Sequence, residues 1–118
     1  MPRIRVTPQS TLRLQIEHGI AIGPGKAALL EAIAATGSIA EACKMLRMSY
    51  RGGWELVNSM NEHFVGPLVD KAKGGPTRGG ASLTPLGVEV LELYRCMEQR
   101  AVHAIQADVV RLEALLKT

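Results

Sequence analysis

The chain has 118 residues, of which 47% are hydrophobic and only 3% aromatic, and its formal net charge is +3. This length favours one domain with an aliphatic core, and no apolar run suits a signal peptide or a membrane span, so a secreted or membrane protein is not expected. The positive surplus lies in residues 1–84, which carry ten Lys or Arg against six Asp or Glu, a distribution typical of nucleic-acid binding but shared by many enzymes.

The first predicted elements are short strands. Residues 3–6 and 12–16 alternate apolar and polar side chains, and residues 20–22 can form another short strand after a turn. Residues 26–35 then repeat apolar side chains at helical spacing, and Gly37 is a stop signal. We therefore expect short extended segments followed by a first helix.

Two further helices joined by a tight turn are predicted next. Ser38, with Glu41 three residues later, predicts a capping box in which the serine accepts a backbone N–H and the glutamate reaches back. That helix is expected to end near Arg47, and Ser49 is the N-cap candidate of the following helix. The expected apolar stripe of the first of these two helices, which begins after Ser38, consists of Ile39, Ala42, Cys43 and Leu46. Two such helices are the pattern of a helix-turn-helix, which places its second helix in the DNA major groove.

The second helix of this pair has two different faces. Trp54 is the only tryptophan and is expected to anchor the helix to the core. The opposite face is polar and partly basic and carries Tyr50, Arg51, Glu55 and Asn58. It suits a groove-reading helix and equally an ordinary solvated face. Gly52 and Gly53 either allow close approach to DNA or weaken the helix, because each costs about 1 kcal/mol relative to alanine.

A β-hairpin with a flexible basic tip follows. Residues 68–72 and 81–84 are the predicted strands, and residues 73–80 between them are rich in glycine. Such a tip can follow a phosphate backbone closely, with Lys71, Lys73 and Arg78 supplying positive charge. A nucleotide-binding loop is the other interpretation, but the Walker and dinucleotide-binding glycine patterns are lacking, so we favour a wing.

The last predicted element is a long helix. Thr84 caps it, Pro85 suits its first position, and the pattern can run to about Lys117. The predicted apolar stripe is Val90, Tyr94, Met97, Ala101, Ile105, Val109, Leu112 and Leu116. Charged residues, Glu98 among them, are expected on the remaining surface. A helix of about 50 Å is longer than so small a domain is wide, so a second copy is expected to cover the stripe.

The cysteines and histidines give no sign of a metal site, and no cofactor is expected. Cys43 and Cys96 lie in separate helical segments without a CxxC pair or a Cys/His ligand spacing. We expect both to be small core residues with free thiols in a reduced, cytoplasmic setting. No paired carboxylates and no Ser/His/Asp or Cys/His constellation indicate catalysis, so the chain is not expected to be an enzyme.

Several motifs together resemble the N-terminal winged-helix domain of the ModE molybdate-responsive repressors. They are Gly-Ser-Ile at 37–39, Ser-Tyr-Arg-Gly-Gly-Trp at 49–54, Met-Asn at 60–61, the glycine-rich run ending in Ala-Ser-Leu-Thr at 81–84, and Leu-Glu-Leu-Tyr at 91–94. The resemblance covers about residues 10–100. A more distant likeness to the DNA-binding domain of LysR-type regulators is implied.

The resemblance implies a bacterial regulator that forms a homodimer through the long helix and binds double-stranded DNA at an inverted repeat. Full-length ModE proteins carry C-terminal oxyanion-binding β-barrel domains that sense molybdate. This chain ends at Thr118, directly after the predicted helix. We therefore do not expect it to bind molybdate in the family manner.

The predicted fold is mainly α with a small β component, a winged helix-turn-helix followed by a long dimerisation helix. Residues 1–84 are the predicted DNA-binding domain, and residues 85–118 are the predicted dimerisation helix. The expected DNA contacts are Ser38, Lys44, Arg47, Ser49, Tyr50, Arg51, Asn58, Lys71, Lys73 and Arg78. Tyr50 and Arg51 are the candidates for base edges, and Asn58 lies on the same polar face of the groove-entering helix. The candidates for phosphate are Ser38, Lys44, Arg47 and Ser49, and those for contacts from the wing are Lys71, Lys73 and Arg78. The alternative is a winged-helix module that binds another protein rather than DNA.

Overall fold

The computed structural model describes residues 3–5, 12–17, 19–71 and 80–117, and it has the predicted fold class. The elements in chain order are β1 (Leu14–Ile16), β2 (Gly19–Ile22), α1 (Pro24–Thr36), α2 (Ile39–Met45), α3 (Tyr50–His63), β3 (Val69–Lys71), β4 (Ala81–Leu83) and α4 (Pro85–Glu113). Each neighbouring pair of strands, β1 with β2 and β3 with β4, forms an antiparallel hairpin. Residues 3–5 are not in a strand, contrary to the prediction for residues 3–6, of which Val6 lies outside the described part.

The helix boundaries follow from local capping. Ser38 Oγ accepts the Glu41 N–H at 3.1 Å, as predicted, but the reciprocal half of the capping box is wrong. The Ser38 N–H is instead donated to Thr36 Oγ1 at 3.3 Å, and the Glu41 carboxylate lies 3.5 Å from Lys44 Nζ. At the start of α4, Thr84 Oγ1 accepts the Gly87 N–H at 2.9 Å, which confirms the predicted cap.

The core is aliphatic and centred on α1. Leu29, Leu30 and Ile33 of this helix are fully buried. The other buried apolar side chains around them include Ile39, Ala42, Cys43, Val57, Met60, Leu68 and Val69. Trp54 only borders this core and is half-buried, so its predicted role as the anchor of α3 belongs to Val57 and Met60. Cys96 is exposed, which corrects the expectation that both cysteines are core residues.

The first half of α4 is part of the domain, and two sequence expectations for it are wrong. Tyr94 is 1% exposed inside the protomer, and its hydroxyl donates to the Leu12 carbonyl oxygen at 2.5 Å, so it has no surface to offer a partner. Glu98 is fully buried rather than on the charged surface. Its carboxylate accepts from Arg95 Nη1 at 2.7 Å, and Arg95 Nε lies 2.5 Å from Glu31 Oε1 of α1.

The second half of α4 stands away from the core. The principal dimensions of the chain are 59 × 28 × 23 Å, and the long axis reflects this helix of 29 residues, about 43 Å in length. It ends at Glu113 rather than near Lys117, and the Ile4 N–H donates to Glu113 Oε2 at 2.8 Å. The exposed large apolar side chains of this region are Ile105, Val110, Leu112, Leu115 and Leu116. Among the described residues, no helix combines the length and hydropathy that crossing a bilayer requires.

Tyr94→Phe should lower the free energy of unfolding by about 1 kcal/mol near neutral pH, because one hydrogen bond is lost. Burial, and next the Glu98 carboxylate, raise the pKa of Tyr94 to about 12, from 10.0. The folded state therefore keeps the phenol proton longer than the unfolded chain does. The stability from this shift is complete below pH 10.0 and is lost as the pH rises towards 12.

Urea unfolding below this titration, at about pH 8, and within it, at about pH 11, measures the effect. The drop in unfolding free energy between the two pH values should be smaller for Tyr94→Phe than for the wild type. Equal drops in the two proteins would contradict the burial of this phenol.

Candidate nucleic-acid interface

The turn between α2 and α3 gives the helix-turn-helix its shape. The Met48 N–H donates to the Cys43 carbonyl oxygen at 3.0 Å, and the Arg47 N–H donates to the Lys44 carbonyl oxygen at 3.2 Å. Arg47 adopts φ 55°, a left-handed conformation that costs a non-glycine residue about 1–2 kcal/mol. Its side chain is exposed beside the start of α3. The left-handed conformation of Arg47 is the one in which helices commonly end one residue after the C-cap, which here is Leu46.

Gly53 brings α2 and α3 into close contact. It is buried on the inner face of α3, and a Cβ at this position would overlap Cys43 Sγ. Burial raises the pKa of the Cys43 thiol, which stays neutral in this contact. A Cβ on Gly52 would lie 2.9 Å from Ser49 Oγ, which caps α3 by accepting the Gly52 N–H. The expectation of close approach to DNA is therefore wrong for Gly53, because the close approach that this glycine allows is to α2.

The outer face of α3 carries the residues expected to read bases. The exposed fraction is 50% for Tyr50 and 91% for the Arg51 side chain, and Asn58 is also exposed. Arg51 Nε lies 3.4 Å from Glu55 Oε1 one turn later. An exposed ion pair of this kind contributes little, so the guanidinium can exchange this partner for another. The opposite face of α3 packs on the core, which leaves this polar face outward.

Further polar groups lie at the starts of α2 and α3. The hydroxyl oxygens of Ser38 and Ser49 act as helix caps, so each hydroxyl hydrogen can still be donated elsewhere. The Lys44 side chain is 77% exposed on the last turn of α2. Lys44, Arg47 and Arg51 thus place three exposed cationic side chains around the turn.

The base of the wing is tied to the helix-turn-helix. In the hairpin, Val69 pairs with Leu83 and Lys71 with Ala81, and the Ala81 N–H donates to the Gly37 carbonyl at 2.9 Å. Lys71 is exposed where the described part of β3 ends. The predicted contacts at Lys73 and Arg78 lie outside the described residues.

Asn61 is a structural residue to which sequence reasoning gave no role. Its Oδ1 accepts the Leu68 N–H at 2.8 Å and the Val69 N–H at 3.2 Å, and its Nδ2 donates to the Val69 carbonyl at 3.2 Å. The Asn61 side chain therefore bonds the start of β3 much as the backbone of a neighbouring strand would. It joins the end of α3 to the wing. The available signal was an amide on the helical face shared by Trp54 and Val57.

Comparison with known proteins places this site in a family. No protein-family model matches the chain. A transcriptional regulator ModE of Yersinia pestis is 34% identical over 108 residues, which cover 89% of this chain and 41% of that protein. The DNA-binding transcriptional dual regulator ModE of Escherichia coli K12 is 35% identical over 109 residues, or 89% and 42% of the two chains. Over these residues the chain is of the ModE type.

The ModE likeness extends to a protein with another name. The molybdenum-pterin-binding protein MopB of Rhodobacter capsulatus is 40% identical over 80 residues, or 68% of this chain and 30% of that protein. The chain spans about two fifths of the length of the two ModE relatives above, and the match falls on their N-terminal part. The matched region of this ModE-type chain therefore includes the helix-turn-helix and the wing.

The ModE-type domain brings most of its predicted contact residues to one region. Lys44 lies on the last turn of α2, and Arg47 lies in the loop between α2 and α3. Four more lie at the cap or on the first three turns of α3: Ser49, Tyr50, Arg51 and Asn58. Ser38 lies at the start of α2, where it also forms a bridge with Gly80 at the base of the wing. Lys71 reaches α3 from β3, as its contact with Trp54 shows.

Proposed function

We propose that this chain is a sequence-specific regulator of transcription that binds double-stranded DNA through α3. The observation that carries the proposal is the outward face of α3, where Tyr50 and Arg51 are exposed on the first turn of a helix whose other face is buried. A helix positioned in this way by a helix-turn-helix enters the major groove with its first residues at the base edges. The ModE relatives support this role, because both are named as transcriptional regulators and that of Escherichia coli K12 as DNA-binding.

Each exposed group has a role in this complex. Arg51 bonds a guanine through two N–H groups after leaving Glu55, and Tyr50 and Asn58 face neighbouring bases or phosphates. Lys44 and Arg47 contact phosphate beside the turn, and Ser38 and Ser49 donate to phosphate at the helix starts. The wing follows the backbone with Lys71, Lys73 and Arg78.

The proposed assembly is a homodimer that binds a two-fold symmetric site. Ile105, Leu112 and Leu116 of the predicted stripe are exposed, and Ala101 and Val109 beside them are partly so. Val90 packs at the edge of the protomer core, so the partner contact is assigned to the region from Met97 onwards. A second copy along this region covers the apolar side chains and places two α3 helices in successive major grooves, about 34 Å apart.

Selection of bound sequences from a random duplex library tests both parts of this proposal. We expect enrichment of one motif that occurs as an inverted repeat, with binding that weakens steeply as salt is added. Recovery of unrelated sequences would contradict specific recognition, and a single unrepeated motif would contradict the dimer. No binding to any duplex at low salt would favour the protein-interaction module.

Arg51→Ala and Lys44→Ala should separate base reading from phosphate binding. Discrimination is the affinity for the selected site divided by the affinity for a site in which the matching guanine is replaced. Arg51→Ala should reduce this ratio about 10- to 100-fold. Lys44→Ala should instead weaken both sites equally and reduce the salt slope of log K by about 0.9. Fluorescence anisotropy with the two duplexes at several salt concentrations measures these changes. Unchanged discrimination in Arg51→Ala would contradict the assigned docking.

A further inference from the structure

A cation–π contact joins α3 to the base of the wing. The Nζ atom of Lys71 lies over the ring of Trp54, 3.9 Å from the ring centroid. The Tyr50 ring meets the same indole edge-on, with centroids 6.0 Å apart and planes at 73°. These three side chains therefore form a cluster, here called the Trp54 cluster, that links the base-reading turn of α3 to β3.

The Trp54 cluster joins α3 to β3 at a different place from Asn61. Asn61 holds Leu68 and Val69 at the start of β3, and Trp54 meets Lys71 at its end. From Asn61 to Trp54 is about 10 Å along the helix, and from Val69 to Lys71 about 7 Å along the strand. The strand therefore runs back along α3 towards the helix start, and it is held to the helix at both ends.

The contact restrains the lysine without using up its charge. An ammonium group has three N–H donors, and the indole ring faces only one side of it. Lys71 is exposed, so the remaining donors are open to a phosphate oxygen. A lysine side chain loses considerable rotamer freedom when it is fixed in a contact. If an aromatic face already limits that freedom, less is lost when the phosphate binds.

We propose that Trp54 is a positioning residue that holds the Lys71 ammonium in place for a DNA phosphate. The proposal rests on the proposed function, since it needs a duplex beside α3. It also explains why the only tryptophan of the chain is half-buried at the edge of the core rather than inside it. Trp54 does not itself contact the duplex in this arrangement; it acts through Lys71.

A double-mutant cycle on DNA affinity tests the coupling. The four proteins are the wild type, Trp54→Leu, Lys71→Met and the double variant, each titrated into a fluorescein-labelled duplex from the library selection. We expect Trp54→Leu to weaken binding about three- to fivefold and Lys71→Met by at least as much, with the double variant no weaker than Lys71→Met. Losses that multiply in the double variant would overturn the proposal.

The salt dependence distinguishes positioning from contact. Lys71→Met should reduce the salt slope of log K by about 0.9, because one phosphate contact is removed. Trp54→Leu should leave the slope unchanged, since Lys71 still reaches the phosphate at lower affinity. Trp54→Phe keeps an aromatic face and should restore most of the affinity. Lys117→Met, which removes an exposed lysine beyond α4, is the matched control and should bind like the wild type.

Fluorescence of the free protein keeps this test separate from the proposed function. Because Trp54 is the only tryptophan, its emission and its quenching by acrylamide report on the Lys71 contact without any DNA. We expect Lys71→Met to increase quenching, whereas Lys117→Met should not. Equal quenching in both variants would overturn the contact itself. Altered quenching in Lys71→Met, with no binding of any duplex by the wild type, would overturn the DNA role while retaining the contact.

Discussion

Replacing Gly53 by alanine should lower the free energy of unfolding by about 2 kcal/mol. The added methyl group overlaps Cys43 Sγ between α2 and α3, and overpacking of this kind costs up to about 3 kcal/mol. Alanine returns about 1 kcal/mol through its higher helix propensity. Urea unfolding followed by circular dichroism measures the difference. The same substitution should also weaken DNA binding, because α3 is displaced relative to α2.

Two further variants make this result specific to the contact. Gly25→Ala lies in the first turn of α1, where a Cβ meets no atom within 4 Å, and should not lower stability. Cys43→Ala removes the overlapping sulfur, so the double variant Gly53→Ala/Cys43→Ala should be more stable than the sum of the two single changes predicts. Full stability of Gly53→Ala alone would show that the two helices are not so closely packed.

Asn61→Ala should destabilise the protein by about 3 kcal/mol. Three backbone groups at the start of β3 lose their partner at once, and each unsatisfied group costs about 1–3 kcal/mol, less where water reaches it. The base of the wing should loosen as a result, with faster hydrogen exchange of the Leu68 and Val69 amides. Denaturant unfolding and amide exchange by NMR measure the two effects.

Asn58 provides the control for Asn61. It lies on the same helix but on the exposed face, so Asn58→Ala should change the unfolding free energy by no more than about 0.5 kcal/mol. Asn61→Asp keeps the acceptor oxygens for Leu68 and Val69 but loses the donor to the Val69 carbonyl, and should be intermediate. Equal stability of Asn61→Ala and Asn58→Ala would contradict the role assigned to the Asn61 amide.

Most of the fold could be predicted because its signals are local. Ser38, Ser49 and Thr84 all cap helices as their sequence positions indicate. Gly37 ends α1 with φ 71°, and the hairpin strands lie where the apolar runs on each side of the glycines placed them. These features depend on a few neighbouring residues, so a single sequence is enough to locate them.

The errors concern side chains whose surroundings are set by distant parts of the chain. Glu98 sits at a charged position of a helical pattern, yet it is buried, where its carboxylate pairs with Arg95. Tyr94 continues the apolar stripe of α4, but its partner is the Leu12 carbonyl, 82 residues away. The role of Asn61 depends on a strand that returns along α3. Periodicity places Glu98 on the wrong face, and for Tyr94 it gives the inward direction without identifying the partner.

The anchoring of α4 has a consequence for the spacing of DNA sites. Glu31, Arg95 and Glu98 join α4 to α1, and Tyr94 joins it to the segment before β1, so the angle at which α4 leaves the domain is fixed within each protomer. In the proposed dimer, the separation and relative rotation of the two α3 helices are then fixed as well. One inserted base pair between the half-sites turns one of them by about 35° around the duplex axis. The proposed dimer would therefore select operators by the number of base pairs between the two half-sites, although it need not contact those base pairs.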